Sequence, residues 1–389
     1  MLNLPTPRKW QTTALAAWVG KRKGIAKVVT GGGKTAFAGM CISNFVDANN
    51  RAVVIVVPTT ALRDQWYATM TANWGVATER IITDKTKIST TDWDFLLLVI
   101  NTARDNITAV QSKGNMMLVV DECHRAGSTV NRNALMGEWG ATLGLSATPE
   151  RQYDDFFESI LVPSLGPIII DYNYSQAAKD GVIAKFKLSN HLVQFTDDEQ
   201  NDYSAYTKKI SVEYSKLKKE GLSSSTKLER LLMKRATISK NAEFRLPVAA
   251  ALVEKVLPKK TILFHESINH IEALAIVLQD MGIDCRTYHS KMSEVRRVES
   301  LSLFISGSIE VLLTCRALDE GFDLPDIEVG IIASMTKSPR QRIQRLGRIL
   351  RRLDGKIAEI KTIHTIHEEE LLTSEAEGMN EALEIKWFG

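Results

Sequence analysis

The stretch Ile25-Ala26-Lys27-Val28-Val29-Thr30-Gly31-Gly32-Gly33-Lys34-Thr35-Ala36-Phe37 decides the fold. Its first five residues, apolar apart from Lys27, read as a strand, the three glycines as a tight turn, and Ala36 to Val46 as a helix. A glycine-rich turn between strand and helix lets backbone N–H groups wrap phosphate oxygens, with the positive helix end behind them. Lys34 can then reach the β- and γ-phosphates, and the Thr35 hydroxyl can ligate Mg²⁺. The strict GxxxxGK[ST] spacing fails at its first position, which is Val28, so the strand and helix on either side support the assignment.

Outward from this turn the same alternation recurs. Ala52 to Val57, Phe95 to Ile100, Met116 to Val120 and Thr142 to Ser146 read as buried strands, and Pro7 to Gly20 and Leu62 to Trp74 as helices. Strands alternating with helices imply βαβ units and a parallel sheet covered on both faces. Tyr153 to Asn190, with Pro163, Pro167 and Gly181, reads as irregular, and a strand is expected around His191 to Phe195. A Lys-rich, helical stretch runs to Arg245. A second α/β round follows, with strands at Thr261–Phe264, Ile283–Thr287, Ile309–Leu313 and Val329–Ala333 and helices at Ile268–Met281 and Val295–Phe304.

Composition sets the outer bounds. The chain has 389 residues, 44% hydrophobic and 24% charged, which fits a folded protein of roughly two to three domains. The longest apolar runs are about six residues, against the ~20 that span a bilayer, and Met1-Leu2-Asn3-Leu4-Pro5 shows no secretory pattern. No membrane association and a cytoplasmic location are therefore expected. Four cysteines without a CxxC pair argue against zinc and disulfides. The net charge of +3 hides polarity: Ala205 to Arg245 holds eleven Lys or Arg against four Glu, and Lys337 to Lys356 eight against one acid. Glu359 to the end holds eight Glu against two Lys. Basic blocks of this kind suit a polyanion or a solvated face.

Met116-Met117-Leu118-Val119-Val120-Asp121-Glu122 is an apolar strand that ends in two carboxylates. In an open parallel sheet ligands bind beyond the carboxyl ends of the strands, which brings these acids toward Lys34. Asp121 is suited to hold Mg²⁺ and Glu122 to polarise the attacking water, the division of labour that phosphoryl transfer needs. Near the far end, Arg345, Arg348 and Arg352 recur at helical spacing over an apolar stripe of Ile343, Leu346, Leu350 and Leu353. Arginine's planar fork suits phosphate.

Together these residues resemble a known family. Asp121-Glu122-Cys123-His124 is similar to the DECH variant of the DEAD/DExH box, and Ser146-Ala147-Thr148-Pro149-Glu150-Arg151 resembles motif III of superfamily 2 helicases. Arg8-Lys9-Trp10-Gln11 resembles the adenine-reading Q-like motif, and Val56-Val57-Pro58-Thr59 with Gln65-Trp66 resembles motif Ia. Leu263-Phe264-His265-Glu266 resembles motif IV, Leu318 to Pro325 motif V, and Gln344 to Arg351 motif VI. The likeness covers roughly residues 6 to 366 and is nearest to the XPB-like and phage branched-DNA helicase group. Arg151-Gln152-Tyr153 departs from that group's Arg-Glu-Asp triplet, and with the Q-like motif starting at residue 8 no counterpart of its N-terminal damage-recognition region is expected.

The resemblance implies two tandem RecA-like parallel-sheet domains with a basic helical insertion. Domain 1 is expected at 1–170, a linker at 171–195, a thumb-like insertion at 196–245, domain 2 at 246–370 and an acidic tail at 371–389. ATP would be held by Arg8, Gln11, Thr30, Gly31, Gly32, Gly33, Lys34, Thr35, Gly321 and Asp323, and Mg²⁺ by Thr35 and Asp121. Catalysis would fall to Glu122, Asp121, Lys34, Gln344, Arg348 and Arg351, the arginines acting as fingers across the domain cleft. Ser146 and Thr148 would couple ATP state to movement, and Thr59, Thr102 and Thr314 would touch the nucleic-acid backbone. The implied activity is an ATP-driven, monomeric DNA helicase or translocase on single-stranded, forked or branched DNA, in a bacterial host if the chain is of phage origin. A motor subunit of a restriction or defence complex, needing a protein partner, and an ATP-switched strand-annealing clamp are the rivals. His124, His265 and His289 lack ligand spacing and read as hydrogen-bonding residues, while Trp387-Phe388 reads as docking on a partner or packing back.

Overall fold

The computed structural model describes residues 2–47, 52–88, 93–110, 115–150, 155–222, 224–315, 327–334, 357–365 and 382–388. They form two compact α/β units, the first running to Ile183 and the second starting at Ala184.

In the first unit the order is α1 (Lys9–Lys21), β1 (Lys23–Val28), α2 (Lys34–Asp47), β2 (Ala52–Val57), α3 (Thr60–Ala68), β3 (Ile81–Ile82), β4 (Phe95–Val99), α4 (Ile100–Val110), β5 (Met116–Asp121), β6 (Ala141–Ser146), α5 (Val162–Leu165), β7 (Ile168–Tyr172) and α6 (Tyr174–Lys179). The strands pair in parallel in the order β3-β4-β2-β5-β6-β1-β7. Strands β2 and β5 are buried at every position, because helices cover both faces and no position can be polar at low cost. The residues that follow β2, β5, β6 and β1 therefore emerge side by side along one edge. They are Thr59, the Asp121-Glu122 pair, Ser146 with Thr148, and the glycine turn.

The second unit contains β8 (Phe186–Leu192), α7 (Asp197–Lys219), α8 (Thr226–Lys240), α9 (Arg245–Val256), β9 (Thr261–Phe264), α10 (Ile268–Asp280), β10 (Cys285–His289), α11 (Glu294–Ser306), β11 (Val311–Cys315), β12 (Val329–Ile332), β13 (Ala358–His364) and β14 (Glu384–Phe388). Its sheet is also parallel, ordered β10-β11-β9-β12-β13-β8-β14.

The expected linker at 171–195 is corrected here. It holds the end of β7, which pairs with β1, and all of β8, which pairs with β13 in the second sheet. The prolines misled because Pro163 is accommodated where a π-helical turn, Phe157–Leu161, runs on into α5, and Pro167 precedes β7. The strand expected at His191–Phe195 is β8, centred several residues earlier. Strand β13 was not read from sequence at all, and the expected acidic tail contains β14, which pairs with β8.

The basic insertion is a helical hairpin. Helix α7 opens with a capping box in which Thr196 accepts from the Glu199 N–H, and α8 is capped by Ser225. Ile210, Leu217 and Leu228 form its own small core. Arg245, counted with the basic segment, is not a surface charge. It is 1% exposed, and its guanidinium donates to the carbonyls of Ser239, Ala333 and Ile363, fastening the hairpin's end to the edges of β12 and β13.

Candidate active site

The phosphate loop is shaped by its glycines. Gly31 and Gly33 have φ of 80° and 99°, the left-handed region that a Cβ disfavours. A Cβ on Gly33 would also stand 3.0 Å from Gln11 Nε2 and 3.1 Å from Arg8 Nη1. The start of α1 closes on this loop. Arg8 Nη1 donates to Gly32 O at 2.6 Å, Trp10 Nε1 to the same oxygen at 3.2 Å, and Gln11 Nε2 to Gly33 O at 3.0 Å. Gln11 Oε1 accepts from the Arg8 N–H at 2.8 Å, so both ends of its amide are engaged. Arg8 and Gln11, expected at adenine, are thus seen holding the loop, a role the sequence pattern did not reveal.

Lys34 opens α2. Its Nζ lies 3.3 Å from Val28 O and 3.9 Å from Glu122 Oε1, with the lysine and the acid both mostly buried. Asp121, at the end of β5, is buried; Trp66 Nε1 donates to its Oδ2 at 2.9 Å and the Glu122 N–H to its Oδ1 at 2.9 Å. Burial first, and then the Glu122 charge, push the Asp121 carboxyl above the usual range, against the pull of Lys34 and the two donors. A second cation beside this pair would relieve that strain. Glu122 itself has φ 49° and ψ 50°, a left-handed conformation that costs a non-glycine residue about 1–2 kcal/mol. Such outliers collect where the surrounding structure holds a functional group in place.

The residues present fit a magnesium nucleotide on their own geometry. The loop offers glycine-shaped backbone and the Lys34 ammonium, and Thr30 Oγ1 is buried there without a hydrogen-bond partner. Glu122 Oε2 likewise accepts no hydrogen bond, although His124 Nδ1 stands 3.4 Å from it. Thr35 sits one residue along from Lys34 in the first turn of α2 and is half-buried.

His124 Nδ1 also meets Ser146 Oγ at 2.9 Å, and Ser146 Oγ accepts from the Thr148 N–H at 3.1 Å. A continuous polar chain therefore runs from the β5 acids to the residues after β6. The expected hydrogen-bonding roles of the other histidines are also seen: His265 Nδ1 accepts from the Ser267 N–H, and His289 Nε2 lies 2.6 Å from Glu272 Oε1.

The expected nucleic-acid contacts fare unequally. Thr59 caps α3 by accepting from the Leu62 N–H and is half-buried, and Thr102 is half-buried in α4. Thr314 is corrected: it lies in β11 at 0% exposure, so its side chain is covered on a face of the sheet and offers no surface to a nucleic-acid backbone. Gly321, Asp323, Gln344, Arg348 and Arg351 lie outside the described residues, as do the rest of motifs V and VI. Trp387 and Phe388 lie in β14 beside β8, where Phe388 stacks on His191 at 4.8 Å while both side chains stay about half exposed.

Comparison with known proteins fits this geometry. The family described as type III restriction enzyme, res subunit, matches residues 4–151, and the helicase conserved C-terminal domain matches residues 246–352. The DNA 3'-5' translocase XPB2 of Sulfurisphaera tokodaii is 28% identical over 391 aligned positions, covering 92% of this chain and 81% of that protein. The chain belongs to the superfamily 2 helicases, in their XPB-like group. Among solved structures, the helicase domain of Pyrococcus furiosus Hef is similar at a TM-score of 0.63 and 15% identity, covering 95% of this chain and 98% of that one. Dbp5 of S. cerevisiae, bound to RNA and ADP BeF3, is similar at 0.65 and 15%, covering 98% and 90%. These two likenesses establish the tandem RecA-like fold of the helicase. It is an ATP-hydrolysing enzyme that acts on nucleic acid. Among the described residues no helix is long and apolar enough to cross a membrane.

Proposed function

We propose that this helicase hydrolyses ATP with Lys34, Asp121 and Glu122 and uses the cycle to move along DNA with 3'-5' polarity, remodelling forked or branched duplexes. The observation that supports it most is the row of residues after β2, β5, β6 and β1, where Lys34 Nζ stands 3.9 Å from Glu122 Oε1. Lys34 and the loop N–H groups take the phosphates. Glu122, held in its left-handed turn, orients water toward the γ-phosphate. Asp121 and Thr35 would hold Mg²⁺, which would supply neutralisation of phosphate charge. Gln344, Arg348 and Arg351 complete the site through motif VI, and Gly321 and Asp323 bind nucleotide through motif V. The chain from Glu122 through His124 and Ser146 to Thr148 carries the state of the site toward movement. Thr59 and Thr102 meet the sugar-phosphate backbone, which suits a motor indifferent to sequence. DNA and the polarity are carried over from the name of the Sulfurisphaera relative.

The experiment is ATPase stimulation and strand displacement compared across single-stranded DNA, duplex, forks, four-way junctions and RNA, with either 3' or 5' tails. Stronger stimulation by RNA, or displacement only from 5' tails, overturns the reading. The restriction-family match at 4–151 supports a second reading, a duplex-tracking motor for a nuclease partner. Displacement of a triplex strand without duplex unwinding favours that one.

A further inference from the structure

Helix α3 reaches the active site through one side chain. Trp66 is 1% exposed, and its indole N–H donates to Asp121 Oδ2 at 2.9 Å. Oδ1 is held by the Glu122 N–H, the continuation of β5 itself. The two oxygens of one carboxylate are therefore fixed from two different elements. An indole N–H can only donate, so a buried tryptophan must find an acceptor, and a main-chain carbonyl would serve as well. Trp18, Trp93 and Trp139 do use carbonyls. Trp66 instead uses a carboxylate already disfavoured by burial.

The ring has its own support. Trp74 meets it edge-on at 5.9 Å and 90°, and the Trp74 ring packs against Gly39 of α2, where a Cβ would lie 2.9 Å from it. Helix α2 is the one that Lys34 begins, and α3 is the one that Thr59 caps. Trp66 thus projects from the helix behind motif Ia, and Trp74 lies between its ring and the helix of the phosphate loop.

We propose that Trp66 is a positioning residue for Asp121: its indole N–H fixes the rotation of the carboxylate and ties α3 to the magnesium ligand. The inference rests on Asp121 holding Mg²⁺. A carboxylate turns easily about its last torsion, and a single donor on Oδ2 leaves the remaining lone pairs facing one way. Any shift of α3 imposed at Thr59 moves the indole, and with it Asp121. This gives nucleic acid at motif Ia a direct route to the hydrolytic site.

The test replaces the donor and keeps the ring. Trp66→Phe does so with a smaller side chain; a benzothienyl isostere at position 66 keeps the full size and carries sulfur in place of N–H. Binding of a fluorescent ATP analogue is titrated against Mg²⁺ by anisotropy, a readout that needs no turnover. Both variants are expected to raise the half-saturating Mg²⁺ concentration about tenfold, the scale of one hydrogen bond to a charged group, with nucleotide affinity at saturating Mg²⁺ unchanged. DNA-stimulated hydrolysis falls more than DNA-free hydrolysis. Unchanged or lower half-saturating Mg²⁺ in the isostere overturns the proposal, as does weaker binding at every Mg²⁺ concentration, which marks a packing role alone. Asp121→Asn separates the two readings. If that variant keeps a normal Mg²⁺ dependence, the assignment of Asp121 fails. If it loses the dependence and the Trp66 variants do not shift theirs, only the positioning role fails.

Discussion

Glu122 and Gly33 show how much of the site depends on backbone conformation at single residues. Glu122 occupies a left-handed turn that most side chains avoid, and this turn carries its carboxylate to 3.9 Å from Lys34. Glu122→Gln keeps the turn and the size but loses the charge that draws a proton from water. We expect it to bind ATP at wild-type affinity while kcat falls by about 10²-fold or more, measured by nucleotide binding beside steady-state hydrolysis. Gly33→Ala acts through geometry. With φ at 99° and two side chains within 3.1 Å of its Cβ, it should lose about 1–2 kcal/mol of local stability and most nucleotide binding, read by thermal shift with and without ATP. The residue types at these positions were legible in the sequence, because strand-turn-helix context assigns a Gly-Gly-Gly-Lys-Thr run. The left-handed Glu122, the loop-holding contacts of Arg8 and Gln11, and the indole on Asp121 were not. Each depends on which strands lie side by side, and sequence order does not give the order β2-β5-β6-β1.

Whole elements were legible where they are buried throughout. Strands β2, β5 and β11 show no exposed position and read as apolar runs. Strand β13 escaped, and β8 was placed several residues late, because they carry Lys187, His191, Glu359 and Lys361 at alternate or partly covered positions, as strands nearer a sheet edge can. The pairing of β8 with β14 has its own consequence. His191 lies opposite Phe388 in register and stacks on its ring with an interplanar angle of 8°. Burial, and then the Lys361 and Lys255 charges, lower its pKa to about 4. Undocking β14 returns the imidazole to water while Lys361 and Lys255, on β13 and α9, stay in place, so its value rises part of the way toward the ordinary 6.5 and the undocked edge binds the proton more tightly. Docking of β14 therefore keeps its full stability near neutral pH and weakens as pH falls toward 4. Amide exchange of residues 384–388 should accelerate from pH 7 to pH 5 beyond its intrinsic pH dependence, and His191→Phe should remove the excess. Equal protection factors at both pH values would refute this account.

Charge distribution is a property of the whole molecule, and the fold sharpens what the near-neutral total conceals. In the α7–α8 hairpin Glu213 is buried, with Lys227 Nζ at 2.7 Å and the Ser225 hydroxyl at 3.2 Å, and the exposed Asp197, Asp198 and Asp202 lie toward the start of α7, before its lysines. Lys208, Lys209, Lys216 and Lys219 are exposed on α7. The buried Arg245 anchors the end of α8 to the carbonyls of Ala333, just after β12, and Ile363 in β13. If the hairpin lies along duplex phosphates, each of the four lysines releases counterions on binding. Changing all four to Gln should then reduce the slope of log affinity against log salt by ~3 to 4 and weaken binding alike on all sequences. DNA-free ATPase should stay at the parental rate, because none of the four belongs to the nucleotide site. If the hairpin is only a spacer, the slope stays as it was. A smaller slope with lost DNA-free ATPase would mean that the substitutions disturb the unit instead of its contact with DNA. Fluorescence anisotropy on a labelled fork at 50 to 200 mM salt, run beside the ATPase assay, separates these three outcomes.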